Sequence, residues 1–92
     1  MKFEWDPKKN MINILKHGVS FYDARNVFRD DNVIIFQDDK HSNNDEKRYV
    51  ACGNTGKGIT TVIFTWRYND IRIISAGYWR KGKKIYEKNN IH

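Results

Sequence analysis

Arg48, Arg67, Arg72 and Arg80 are interleaved with Trp66, Tyr68, Tyr78, Trp79 and Tyr86 along the second half of the chain. Guanidinium forks match the geometry of phosphate, and aromatic faces stack unpaired bases. The combination suits single-stranded RNA better than a duplex groove. RNA also carries its own nucleophile, the 2′-hydroxyl. Metal-independent cleavage then needs a base for that hydroxyl, cations for the charged phosphorane and an acid for the leaving 5′-oxygen. His17 and Glu46 are the candidate bases. Arg67 and Arg72 are the candidates to steady the phosphorane, and Arg80 or His17 to stand near the leaving group. Each has a plainer competing role. His17 precedes Gly18 at a helix end, where an imidazolium favours the helix dipole. Glu46 has lysines nearby to pair with, and Trp66 is expected in the core.

Other chemistries find less support. No Ser/His/Asp or Cys/His set has a usable spacing, and Ser75 lacks a nucleophile-elbow context. Cys52 is the lone cysteine, which excludes a disulfide framework and a thiolate cluster. His17, His41 and His92 are scattered, so neither a structural zinc site nor any other metal or cofactor is expected. Asp30-Asp31 and Asp38-Asp39 read as solvated loop pairs. Asn54-Thr55-Gly56-Lys57-Gly58 is a turn and not a phosphate-binding loop, because β-branched residues follow it where a helix would have to start. The formal charge of +6 over 92 residues points to nucleic acid, an anionic surface or an acidic protein partner. No signal-peptide core and no membrane-length apolar run is present, so a cytosolic location is expected.

The elements that must position these residues follow from local pattern. Phe3-Glu4-Trp5 alternates as a short edge strand. Asp6-Pro7 opens a helix running to Lys16, with Met11, Ile14 and Leu15 as its apolar face and Gly18 as its left-handed stop. Ser20 caps a second helix carrying Phe21, Ala24, Val27 and Phe28 at helical spacing. Strands are predicted at Val33–Phe36 and Glu46–Gly53, the latter showing Glu46, Arg48, Val50 and Cys52 on one face. Ile59–Gly77 reads as a hairpin broken at Asn69-Asp70. A two-residue turn there sets Arg67 opposite Arg72, with Val62, Phe64, Trp66, Ile73 and Ser75 on the core side. Gly77 and Gly82 are expected to loosen the chain around Tyr78–Lys81, ahead of a basic helical tail at Lys83–Asn90. The whole is one α+β domain over residues 1–92, its antiparallel sheet carrying all helices on one face.

A resemblance runs over nearly the whole chain. Phe3-Glu4-Trp5-Asp6, Lys9-Asn10, Asn13, Lys16-His17-Gly18-Val19-Ser20-Phe21, Ala24, Glu46-x-Arg48, Gly53, Thr65-x-Arg67 and Ile71-Arg72-Ile73-Ile74-Ser75-Ala76 resemble the BrnT toxins. The resemblance implies a RelE-like fold, with two N-terminal helices and a short C-terminal helix packed on an antiparallel sheet. It implies a ribonuclease toxin of a type II toxin–antitoxin pair that stops translation. It implies a DNA-binding, BrnA-like antitoxin that neutralises the toxin by direct contact, with two copies of each chain. Carried over by position, the family's site residues are His17, Glu46, Arg48, Arg67 and Arg72. Two departures stand out. Gly77 occupies the place of a usual arginine, and Lys83-Lys84-Ile85-Tyr86 replaces a Glu-Arg pair before a tyrosine. Arg80 or Lys81 is then expected to supply the missing cation. The alternative reading is a non-catalytic RNA- or ribosome-binding module with the same basic, aromatic face; a third is an interaction protein that docks an acidic partner.

Overall fold

The computed structural model describes residues 1–91; His92, one of the histidines weighed above, lies outside the described residues. The elements are β1 (Phe3–Glu4), α1 (Pro7–His17), α2 (Phe21–Ala24) continuing as a 3₁₀ turn (Arg25–Arg29), β2 (Ile34–Asp38), β3 (Arg48–Asn54), β4 (Ile59–Arg67), β5 (Asp70–Gly77) and α3 (Arg80–Asn89). They build a five-stranded sheet in the order β1-β5-β4-β3-β2. Strands β2 to β5 are antiparallel in succession, and β1 joins the β5 edge in parallel.

Local chemistry sets the helix limits. The Asp6 side chain accepts the Lys8 N–H, Pro7 takes the first turn, and Gly18 closes α1 at φ 68°. Ser20 Oγ accepts the Asp23 N–H, but the Asp23 carboxylate turns away to Lys57 at 2.8 Å, so the cap is one-sided. The second helix loosens into its 3₁₀ turn as it crosses the sheet.

The core lies between this segment and one sheet face. Phe21, Ala24 and Val27 meet Val62, Phe64, Ile71 and Ile73, all with 1% exposure or less. Phe28 stands edge-on to the Phe64 ring at 5.1 Å. The other sheet face receives α3. Gly82, expected to loosen the chain, is buried inside that helix, where an added Cβ would collide with Thr61 Oγ1. The helices are therefore not segregated to one face. The basic tail needed a bare backbone position to come down on Thr61 and Cys52, and Gly82 is that position.

The hairpin departs from expectation in register. Arg67 faces Asp70, Trp66 faces Ile71 and Thr65 faces Arg72, so Arg67 and Arg72 are not opposite each other. Tyr68 and Asn69 form the turn, with Tyr68 alone at a left-handed φ of 58°. The slip is by two residues, which keeps each side chain near the tip on its expected face. It replaces an arginine pair with an arginine–aspartate pair, a favourable exchange across a ladder. A bulge between Ile63 and Phe64 then turns Ser75 to the side of Ile63, away from Val62 and Phe64.

Helix α1 departs more sharply. Its expected core face points outward: Met11 is 61% and Leu15 83% exposed, while Asn13 is the buried residue of the helix. Asn13 replaces the missing strand beyond β1. Its Nδ2 donates to the Ala76 and Val19 carbonyls at 2.9 Å, and its Oδ1 accepts the Ala76 N–H at 3.1 Å. Asn10 Oδ1 accepts the Phe21 N–H at 2.8 Å. Asparagine hydrogen bonds to unpaired backbone hold this helix, in place of apolar packing.

Candidate active site

One row of side chains crosses the entire sheet. Pairing sets Glu4 beside Arg72, Arg72 beside Thr65, Thr65 beside Arg48 and Arg48 beside Asp38. Directly opposed residues share a face, so the row reads carboxylate, guanidinium, hydroxyl, guanidinium, carboxylate. Adjacent strands lie ~4.8 Å apart, so the two arginines straddle Thr65 with about 10 Å between their backbones. Thr65 is buried, and its Oγ1 donates to the Lys47 carbonyl at 2.7 Å.

The acids tie the cations in place. Glu4 Oε1 lies 3.4 Å from Arg72 Nη1 and 3.9 Å from Arg67 Nη1. Glu46 Oε2 lies 3.4 Å from Arg48 Nε. Asp38 holds the His41 ring nitrogen at 2.7 Å. Burial alone would raise the Asp38 pKa, yet the His41 hydrogen bond and charge, with backbone donors from His41 and Lys40, hold it below the usual carboxylate value. Glu46 therefore pairs with an arginine and not with a lysine.

A cleft of about 380 Å³ opens beside the row at the hairpin end, and Glu46, Thr65, Arg67, Tyr49 and Trp66 line it. Trp66 is 44% exposed, not the core residue expected of it. The indole stands edge-on to Phe64, at 6.0 Å between rings, with its outer part exposed. Tyr49 and Trp66 belong to the core face and Thr65 and Arg67 to the face of the row, so the cleft wraps the hairpin end of the sheet and brings an aromatic surface from one side to a cation and the Glu46 carboxylate.

The remaining candidates stand elsewhere. His17 lines a smaller cleft of about 180 Å³ with Lys9, Ile12, Asn13, Lys16, Ile74 and Ser75. Ser75 is three residues along β5 from Arg72, roughly 10 Å, and no residue of the row lines the His17 cleft. Its ring meets Trp79 edge-on at 5.2 Å. Arg80 follows Trp79 as the exposed first residue of α3. Glu46, Arg48, Arg67 and Arg72 gather at the row; His17 stands apart against Trp79, and Arg80 follows that residue in sequence.

The structure also accounts for Gly77. A Cβ there would stand 2.6 Å from the Trp79 indole, so with the ring in place this position takes no side chain. Glu4, Thr65 and Asp38 are neighbours of the row that local sequence pattern does not mark. The alternation Phe3-Glu4-Trp5 marks Glu4 as surface-facing on an edge strand, but pairing with Arg72 depends on a parallel register that no local signal carries.

Among the described residues no group of three His, Cys, Asp or Glu side chains could hold a metal ion, and no helix is long and apolar enough to cross a membrane. A family model described as the ribonuclease toxin, BrnT, of type II toxin–antitoxin systems matches residues 5–82. No curated protein matches the sequence.

Proposed function

The chain belongs to the BrnT family of ribonuclease toxins of type II toxin–antitoxin systems, and from that premise we propose that the arginine row and its cleft cleave single-stranded RNA without a metal. The observation that carries this reading is the convergence of Arg48, Arg67, Arg72 and Glu46 on one end of one sheet face. A scissile phosphate enters between the guanidiniums and draws Arg67 and Arg72 from Glu4. Glu46 takes the proton of the 2′-hydroxyl, whose oxygen bonds to phosphorus. The bond from phosphorus to the 5′-oxygen breaks, and that oxygen takes up a proton from solvent. The products are a 2′,3′-cyclic phosphate and a 5′-hydroxyl end. The guanidiniums stabilise the extra charge of the phosphorane, which is where fixed cations contribute most to rate. Trp66 belongs to the opposite face at the hairpin end, so a base reaches its exposed indole by bending round the end of the sheet from the reacting phosphate and stacks there. His17 and Arg80, lying further along the sheet, hold the flanking nucleotides.

Within the same reading the fold is RelE-like, the target is translating RNA in the cytoplasm, and ribosome association is part of its use. A BrnA-like antitoxin binds the toxin in an assembly of two copies of each chain. DNA is met only through that antitoxin.

The test is cleavage of a short single-stranded RNA by the purified chain. Arg72→Ala and Arg67→Ala are each expected to lower kcat/KM at least about a hundredfold, while RNA affinity stays within a few-fold. Equal loss of binding and cleavage would favour a binding module. No cleavage by the wild type would end the ribonuclease reading for this chain.

A further inference from the structure

Helix α1 is an amphipathic helix mounted inside out. Asn10, Asn13 and His17 lie on its inner side, while Met11, Ile12, Ile14 and Leu15 are 61%, 51%, 39% and 83% exposed. At 100° per residue these apolar side chains cover an outward arc of roughly 160°. Contiguous apolar surface of this kind on a small protein marks an interaction site. Nothing within the described chain covers it, since α1 is held by backbone hydrogen bonds from its asparagines.

The charge around the arc selects the occupant. Lys8 projects between Ile12 and Leu15, Lys16 borders them, and no acidic side chain lies within α1. A second copy of this chain would bring lysine against lysine, on a protein already at +6. An acidic amphipathic helix would bury the apolar stripe and pair with the lysines at its margin.

We infer that the outer face of α1 is the docking surface for an acidic amphipathic helix of the protein antitoxin. This rests on the toxin–antitoxin reading above and adds where on the toxin that partner sits. The site is separate from the arginine row, so neutralisation starts from a handle outside the RNA cleft.

The experiment measures affinity for the antitoxin co-encoded with this chain, using wild type, Leu15→Glu, Met11→Glu and Lys8→Glu. RNA cleavage by each free chain and its sedimentation are followed in parallel. Because these side chains are exposed, the variants are expected to stay folded and to keep their RNA cleavage. Both apolar replacements should weaken antitoxin binding more than tenfold, and Lys8→Glu should weaken it several-fold at low salt. Affinity within threefold of wild type for both Leu15→Glu and Met11→Glu would overturn the inference. So would a wild-type dimer that both variants convert to monomer. A wild type that cleaves RNA but binds no antitoxin overturns the inference and the antitoxin partner with it, and leaves the ribonuclease reading standing. Antitoxin binding lost in the variants, with no RNA cleavage by the wild type, supports the docking surface and removes only the ribonuclease reading.

Discussion

Glu4 lies between Arg72 at 3.4 Å and Arg67 at 3.9 Å, so its charge competes with any phosphate that enters. Its side chain is 38% exposed, and such pairs contribute about 0.2–1 kcal/mol each. Glu4→Gln is therefore expected to tighten binding of a short RNA roughly fivefold at low salt, with the gain shrinking as salt screens the site. Filter binding at two ionic strengths checks this; unchanged affinity at low salt would show that Glu4 does not compete. The residue types of the proposed site are legible in the sequence, because arginines among aromatics suit phosphates and bases. Their neighbours are not. Glu4 meets Arg72 only through β1 pairing in parallel with β5, and a pairing between distant segments leaves no trace in local spacing. The expected Arg67–Arg72 opposition failed on the place of the turn, which falls at Tyr68-Asn69 and sets Arg67 opposite Asp70 and Arg72 opposite Thr65.

At the level of elements, Asn13 is the joint between α1 and the sheet. Asn13→Ala leaves the buried Ala76 N–H and C=O without their partners, at a cost of about 3 kcal/mol. For a domain of this size that lowers Tm by roughly 10–20 °C, measurable by circular dichroism. A loss of only a few degrees would mean that α1 is held by contacts other than this amide. Cap and turn signals placed the start of α1 at Pro7, its stop at Gly18 and the Ser20 cap correctly, because those depend on neighbours in sequence. The outward turn of Met11 and Leu15 is not carried by the sequence pattern. Periodicity reports that a helix has two sides and not which side meets the sheet, and here hydrogen bonds from Asn10 and Asn13 outweighed the apolar stripe. The start of α3 was set too late for a related reason. Gly82 in isolation signals a break, and only the proximity of Thr61 shows why a helix keeps a glycine there.

Across the whole molecule, Asp30 gathers three segments. Its carboxylate accepts the Asn32 and Asn54 N–H groups and the Tyr86 hydroxyl, the last at 2.6 Å. Burial alone would raise its pKa, but these hydrogen bonds lower it below 3.8. A depressed carboxylate stabilises the fold above its unfolded value, and the contribution is lost as pH falls through the folded value. The Tyr86 phenol is raised above 10.0 by its bond to Asp30, so its contribution holds below that pH and is lost as pH rises through the folded value. The clasp thus operates from about pH 4 to about pH 10. Tyr86→Phe is expected to cost about 1 kcal/mol at pH 7, with the difference from wild type shrinking near pH 3. Urea midpoints at both pH values measure it; a pH-independent difference would assign the loss to packing. The sheet is closed at its opposite side by the very start of the chain. Only Phe3 and Glu4 pair there, aided by the Ile71 N–H donating to the Lys2 carbonyl at 3.0 Å. An anion that draws Arg67 and Arg72 away from Glu4 removes part of what fastens those residues. If RNA enters the row as proposed, pairing of Phe3–Glu4 with β5 and occupancy by RNA are reciprocally linked variables: each disfavours the other by the same free energy.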